Sequence, residues 1–486
     1  DCILLTHAHI DHSGLIPLMY VNGFRGQVYS TSATAQLCEI MLRDSAHIQM
    51  FEAEWRNRKA ARSGGKLKEF VPLYDMDAAV NVCKQFVGCE YDRVYDIAEG
   101  IKIRFTDVGH LLGSASIEVW ATEKTENGDV TEKIVFSGDI GNINKPIIKD
   151  PKHVRDADYV VMESTYGNRS HGGTPNYVED LTDIFKRTFE RGGNVVIPSF
   201  AVGRTQELLY IIRKIKEDNL VGRDFDVYMD SPLAIEATNI FIKNVESCFD
   251  DEAVELVRKG INPLSFPGLK YATTGDESKQ INFDPNPKVI ISSSGMCEAG
   301  RIRHHLKHNL WRPECTIVFV GYQAVGTTGR IIVDGAEEIK LFGEPIQIKA
   351  EIVQLKGSSG HADKDGLLCW INAFDTKPKK VFVVHGEDSV CDEFTECLKE
   401  EYGYDAMAPY TGGSYDLIAD RVISEGVKER KTRRTTSTQR GKTVFDRLVA
   451  AGKRLMTVIT HNEGGTNKDL AKFTDQINAL CDKWDR

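Results

Sequence analysis

Short runs of aliphatic and β-branched residues recur along the chain, each bounded by polar or glycine-containing segments. The clearest are Gly193-Asn194-Val195-Val196-Ile197-Pro198, Lys288-Val289-Ile290-Ile291, Thr316-Ile317-Val318-Phe319-Val320 and Lys380-Val381-Phe382-Val383-Val384. Runs of this kind predict strands. Helical stretches come between them, as at Arg204-Thr205-Gln206-Glu207-Leu208-Leu209-Tyr210-Ile211-Ile212. The alternation implies an α/β architecture. A further apolar run, Cys2-Ile3-Leu4-Leu5, reads as a buried strand at the very start. Residues from about 172 to 345 hold a second βα series. Residues 45–90 are polar and charged, with Trp55-Arg56-Asn57-Arg58-Lys59 and Arg62-Ser63-Gly64-Gly65-Lys66, and predict helices with a loop. After about residue 420 the character changes to a basic, Ser/Thr-rich stretch, Lys428-Glu429-Arg430-Lys431-Thr432-Arg433-Arg434 and Arg440-Gly441-Lys442, followed by amphipathic segments through Trp484. No internal repeat is evident.

Composition narrows the class. A chain of 486 residues exceeds one ordinary core, so two or three domains are expected. Hydrophobic content of 41% and charged content of 27% are those of a soluble globular protein. No run of about 18 apolar residues exists, so no membrane-spanning helix is expected. Eleven scattered cysteines fit reduced thiols and a cytoplasmic setting better than a disulfide framework. Cys83 and Cys89 lack CxxC spacing and read as core thiols. A net charge of −10 argues against global attraction to nucleic acid. A local basic groove remains compatible with it.

The most pointed chemistry is Thr6-His7-Ala8-His9-Ile10-Asp11-His12-Ser13-Gly14. In an extended segment residues two apart face the same way, so His7 and His9 can converge on one ion. Asp11 and His12 follow, where the chain turns, and can face a second ion beside the first. Four ligand-type residues at this spacing point to metal rather than to chance surface histidines. Elsewhere, Ser293, Ser294 and Gly295 offer hydroxyl and backbone N–H donors of the kind that cradle phosphate oxygens, and Ser231 in the Asp230-Ser231-Pro232 turn can do the same. Arg301 and its basic neighbours are candidates for a phosphate-tracking groove, with a solvated helix face as the alternative. His304, His305 and His308 lie outside this pattern and are left out of the site.

HxHxDH after a strand resembles the second motif of the metallo-β-lactamase-fold hydrolases. His110 in Asp107-Val108-Gly109-His110-Leu111-Leu112-Gly113 is similar to the third motif, and Asp139 in Ser137-Gly138-Asp139-Ile140-Gly141 to the fourth. Glu163-Ser164-Thr165-Tyr166-Gly167, Ser358-Ser359-Gly360-His361-Ala362-Asp363 and Val383-Val384-His385-Gly386-Glu387 resemble motifs A, B and C of the β-CASP nucleases. Asp230-Ser231-Pro232, Ser292-Ser293-Ser294-Gly295-Met296 and Gly321-Tyr322-Gln323 are also typical of that group. The similarity covers about residues 1–420, in the family's order.

The resemblance implies a metallo-β-lactamase αββα sandwich interrupted by an α/β β-CASP domain. Residues 1–171 and 346–420 would form the two parts of the metal domain, 172–345 the insert, and 421–486 a basic linker and C-terminal extension. The family has an opening β-hairpin region and a first-motif Asp before the second motif. This chain starts at Asp1, so the expectation is an N-terminally truncated fold with apolar sheet surface exposed.

For the site, the resemblance implies His7, His9 and His110 on one ion, Asp11, His12 and His385 on another, and Asp139 bridging. Mixed N/O ligation suits two zinc ions, with manganese the rival. The implied reaction is hydrolysis of RNA phosphodiester bonds by a hydroxide that the two metals activate, with His361 as general acid and Glu163 tuning it. Asp11 counts both as ligand and as part of the catalytic set. A His in motif C, here His385, resembles the RNA-processing branch. A β-CASP DNA nuclease, a small-molecule hydrolase of the glyoxalase or lactonase type, and a non-catalytic scaffold are the alternatives. Single-stranded RNA is the expected partner, no membrane is, and a homodimer is left open. The polar 45–90 stretch and the basic tail are candidate RNA contacts, each against a plain solvated face or linker.

Overall fold

The computed structural model describes residues 1–62, 69–126, 128–172, 176–355 and 359–427, and beyond these residues 452, 455–456, 458–460, 462 and 467–484. The basic stretch 428–442, Ser63–Lys66 and Ser358 lie outside the described residues. Two compact units are present, one of Asp1–Pro409 with Gly413–Glu425, the other of Tyr410–Gly412 with Gly426–Arg486.

In the first unit the metal-domain segments build two sheets. Ile3–Leu4 pairs parallel with Val28–Thr31, which pairs parallel with Phe86–Cys89. The larger sheet has seven strands in the order Ala406–Met407, Lys380–Val384, Tyr159–Glu163, Gly128–Phe136, Ala115–Thr125, Ile101–Asp107 and Val94–Ala98. The first four are parallel to one another and the rest antiparallel. Against it packs a core of Trp370, Ile371, Phe394 and Leu398 with Val160, Val381 and Val383 from the strands. Each such side chain contributes roughly 1.5–3 kcal/mol on burial.

The insert is a six-stranded, wholly parallel sheet in the order Leu269–Tyr271, Asp226–Asp230, Lys288–Ser292, Val195–Pro198, Thr316–Phe319 and Glu351–Gln354. Three of its four interior strands, Lys288–Ser292, Val195–Pro198 and Thr316–Phe319, are buried at every position. This is why they read in sequence as continuous apolar runs rather than alternating ones. The helix expected from Arg204 runs to Glu217, with ten of its residues buried.

Three boundaries differ from the sequence reading. Glu351–Gln354 pairs in register with Thr316–Phe319, so the insert's sheet continues past residue 345. Arg421–Ser424 pairs back on Ser414–Asp416, and the Tyr159 hydroxyl donates to Leu417 O, so the first unit continues past residue 420. The polar 45–90 stretch begins inside a helix that runs unbroken from Ser32 to Arg62, buried early through Leu37, Cys38 and Leu42 and exposed later at Phe51 and Trp55. In the second unit the helix Asn467–Trp484 carries Leu470, Phe473, Ile477 and Leu480 on one stripe, the amphipathic pattern expected there.

The arrangement that matters for function is at the strand ends. Tyr159–Glu163 lies between Gly128–Phe136 and Lys380–Val384, with Val161 opposite Phe136 and Glu163 opposite Val384. Asp139, Glu163 and His385 therefore leave the sheet side by side at its carboxyl edge, where ligands bind in parallel sheets. Strand pairing alone brings motif C next to motif A across the inserted domain.

Candidate active site

His7 and His9 follow the first strand, and His9, with extended φ −54° and ψ 147°, precedes the short helix Ile10–Ser13 that carries Asp11 and His12. His7 Nε2 and His9 Nδ1 are 3.1 Å apart, and His110 Nε2 is 3.1 Å from the same His9 Nδ1. Asp139 Oδ2 completes the group at 3.3 Å from His7 Nε2 and 3.6 Å from His110 Nε2. Ligand atoms about 2.0–2.1 Å from a tetrahedral zinc stand about 3.3 Å from one another. The four donor atoms are spaced to hold such an ion.

The other carboxylate oxygen faces a second group. Asp139 Oδ1 is 3.3 Å from His12 Nε2 and 3.5 Å from His385 Nδ1, while His12 Nε2 and His385 Nε2 are 3.2 Å apart. Asp11 Oδ2 lies 3.6 Å from His385 Nε2 and 3.9 Å from His12 Nε2. Asp139 is buried, and its Oδ1 has no hydrogen-bond partner among the described residues. A buried carboxylate oxygen left without a donor is costly unless a cation meets it. The donor set therefore fits two metal ions with Asp139 between them.

Protonation follows from burial and neighbours. Burial pushes His9 down to about 3 and holds His7 and His110 below the ordinary imidazole range, so their lone pairs are free. Burial works against the Asp139 carboxylate, yet the His12, His7 and His110 imidazoles close to it outweigh burial and lower its pKa. Contact with Asp11 raises His385 to about 9, and the same contact lowers Asp11. Outer partners fix the tautomers. The Nδ1–H of His110 donates to Gly360 O at 3.1 Å, leaving Nε2 for the ion. Thr165 Oγ1 donates to His385 O and lies 3.1 Å from His385 Nδ1, where it can accept. His385 itself has φ +51°, a left-handed conformation that a non-glycine residue rarely adopts and that marks a functional constraint.

His361 stands beside this centre and in none of the metal-holding groups. Its Nδ1 is 3.2 Å from both Glu163 oxygens. Glu163 in turn accepts from Ile140 N at 2.6 Å and Thr165 N at 3.2 Å. Burial alone would lower the His361 pKa, but the Glu163 charge and hydrogen bond, with Asp139 further off, raise it instead. Its segment is fixed by Ala362 N donating to Ile140 O at 2.7 Å, and by Asp363, which caps the helix Lys364–Ile371 through Gly366 N.

One cleft of about 2490 Å³ joins His9, Asp11, His110 and His361 to the insert residues Ser231, Ser293 and Ser294. Ser231 Oγ accepts from Ala234 N and from Ser293 Oγ, so its own proton is left to donate into the cleft. The other expected phosphate contacts need correction. Ser294 N already donates to Ala299 O, so it adds no free backbone donor. Gly295 is packed against the Phe200 ring and its carbonyl accepts from Gln323 Nε2, so it supports the wall rather than lining it. Arg301 lines the cleft, but its guanidinium donates to Asp230 Oδ1, Ala272 O and Thr273 O, which makes it first a clamp on Asp230. His305 closes that clamp from the other side at 2.6 Å from Asp230 Oδ2, in keeping with its omission from the metal site.

Sequence reasoning missed Thr165, although it sits two residues from Glu163, and Lys145. The Lys145 ammonium is buried, donates to His110 O at 2.9 Å, and lies 3.3 Å from Glu207 of the insert. It ties the insert to the loop that presents His110, and a lone lysine in a loop carries no signal of that role.

Residues 205–332 match the Beta-Casp domain family, and residues 345–409 match the family described as a Zn-dependent metallo-hydrolase RNA specificity domain. The chain is 34% identical to Ribonuclease TTHA0252 of Thermus thermophilus over 80% of its own length and 81% of that protein's. It is 31% identical to an RNase J-like protein of Methanocaldococcus jannaschii, covering 80% and 82%. To the transcription termination factor FttA of Methanosarcina mazei it is 32% identical over 84% of this chain, spanning 62% of that longer relative.

Proposed function

The chain belongs to the β-CASP family of metallo-β-lactamase-fold ribonucleases and hydrolyses RNA with metal ions, and from that premise we propose how its residues divide the work. His7, His9 and His110 would hold one ion and Asp11, His12 and His385 a second, with Asp139 as the ligand shared between them. Two zinc ions suit the imidazole-rich set, with manganese the alternative. When bound, such ions lower the pKa of a water toward neutrality and neutralise charge developing on the phosphate.

The remaining steps belong to side chains. Glu163 accepts the Nδ1–H of His361, which fixes the ring and leaves its Nε2–H to protonate the departing ribose oxygen. The same carboxylate raises the His361 pKa against the effect of burial, which favours the protonated ring that a general acid requires. Ser231 donates its free hydroxyl proton to a phosphate oxygen and holds the strand in the cleft.

The observation that carries the reading is the pairing of His361 with buried Glu163, with His361 itself outside every group that could hold a metal ion. A side-by-side assay of metal-loaded protein on single-stranded RNA, single-stranded DNA and a thioester tests it. Cleavage of RNA is expected, and turnover of the thioester alone would refute the nuclease reading. Single-stranded RNA as the preferred form and the cytoplasm as the compartment are part of the proposal, the latter because all eleven cysteines are free thiols.

A further inference from the structure

Five exposed aromatic rings, Phe51, Trp55, Phe200, Tyr322 and Phe342, line the same cleft as the catalytic residues. Surface aromatics are normally scattered; this set shares one cleft with His9, Asp11 and His110. Phe51 and Trp55 are 60% and 52% exposed on the helix Ser32–Arg62. Being four residues apart, they share a face and are displaced by about 6 Å along the axis. The rest of that face needs no such rings for packing, because the helix's core contacts end well before Trp55 apart from Ala53.

Both sides of the cleft combine a ring with a cation. The Lys59 ammonium lies 4.9 Å from the Trp55 ring centroid. From the insert, the Arg303 guanidinium lies 4.7 Å from the Phe342 centroid, and His304 stacks on the same ring at 4.4 Å. Glu52, on the aromatic face of the helix, is ion-paired with Arg56. A ring flanked by positive charge offers a π-face to a base and a counter-charge to the adjoining phosphate, the pairing by which single strands are held. A duplex hides its base faces in the stack and gives such rings nothing to stack on.

We propose that Phe51 and Trp55 on the long helix, with Phe342 from the insert, form a base-stacking track that holds a single-stranded RNA leading away from the metal centre. The proposal deepens the ribonuclease reading and rests on it. It assigns the exposed end of the Ser32–Arg62 helix to substrate binding and makes accessible bases, rather than backbone charge alone, a determinant of recognition.

The test uses the full chain, metal-loaded, on a 15-nucleotide single-stranded RNA and on the same oligomer with abasic residues away from the cleavage point. Loss of one base–aromatic stack, about 1–3 kcal/mol, corresponds to roughly 5- to 150-fold. Trp55→Ala is expected to raise KM for the intact RNA by that factor with little change in kcat, while wild type and variant share one KM on the abasic RNA. Trp55→Phe should restore the wild-type KM, and Phe342→Ala should repeat the alanine pattern from the other side. An unchanged KM in both alanine variants overturns the track. So does an equal rise on intact and abasic RNA, the sign of a merely structural role. Wild-type protein that cleaves neither RNA removes the ribonuclease reading and the track with it; wild type that cleaves RNA beside insensitive variants removes the track alone.

Discussion

Replacing His361 by alanine separates proton donation from metal binding, because the side chain touches Glu163 and belongs to neither ligand set. His361 Nδ1 stands 3.9 Å from Asp139 Oδ2, too far for a hydrogen bond, so truncation should leave both groups of donors in place. What it removes is the acid for the leaving oxygen. General acid catalysis contributes about 10²–10⁴-fold, or about 3–5 kcal/mol of barrier at 1.36 kcal/mol per decade. The loss should appear in single-turnover cleavage of RNA, with metal content by elemental analysis unchanged. The decisive comparison uses an RNA in which the bridging leaving oxygen at one linkage is sulfur, prepared in 3′ and 5′ versions. A thiolate leaves without help, so at the linkage where sulfur departs the variant should fall by less than about tenfold while the ordinary linkage shows the full deficit. Equal losses on both linkages would refute the general-acid role. Loss of bound metal would show instead that His361 holds the centre together.

Glu163→Gln keeps an acceptor for Ile140 N but removes the charge that offsets burial at His361, so the His361 pKa should fall and the alkaline limb of the pH–rate profile should move to lower pH. An unmoved limb would rule out this coupling. Burial pushes the Asp107 carboxyl up to about 7, against an unfolded value of about 4, so folding favours its protonated form. Its contribution is greatest below about pH 4 and is lost as pH rises toward 7. Asp107→Asn, which can still accept from Gly109 N, should therefore match wild type in unfolding free energy at low pH and exceed it at pH 8, by up to a few kcal/mol; a pH-independent difference would contradict the assignment. Chelation should lower Tm, because Asp139 Oδ1 is then left buried without a donor, and added zinc should restore it; a Tm insensitive to metal would mean that the centre is empty in the folded protein.

Much of the site was legible because each ligand lies in a short local motif. His7, His9, Asp11 and His12 stand within one turn, and Asp139, Glu163 and His385 each follow an apolar run that is a parallel strand. Three strands of the insert, Val195–Pro198, Lys288–Ser292 and Thr316–Phe319, were visible for a related reason: burial on both faces demands unbroken apolar residues. Domain boundaries were not visible, because Glu351–Gln354 joins the insert's sheet by backbone pairing that leaves little trace in side-chain pattern. Arg301 misled for another reason. A basic residue near phosphate-binding turns looks the same in sequence whether its partner is a phosphate or, as here, the buried Asp230. Lys145 and Gly360 matter through single long-range hydrogen bonds, and sequence carries no record of those.

The side-by-side exit of Asp139, Glu163 and His385 also sets an order of events during synthesis. One ligand set, His7, His9, His110 and Asp139, is complete once Asp139 has been translated, whereas the other waits for His385, 385 − 139 = 246 residues later. At about 5–20 residues per second that interval is roughly 12–50 s. Until residue 361 the nascent chain can hold one ion but has neither the full second ligand set nor the proton donor His361, and the second set is completed about 24 residues after that. A protein whose substrate is RNA is thus made beside a messenger that it cannot yet cut, and the delay is written into the strand order.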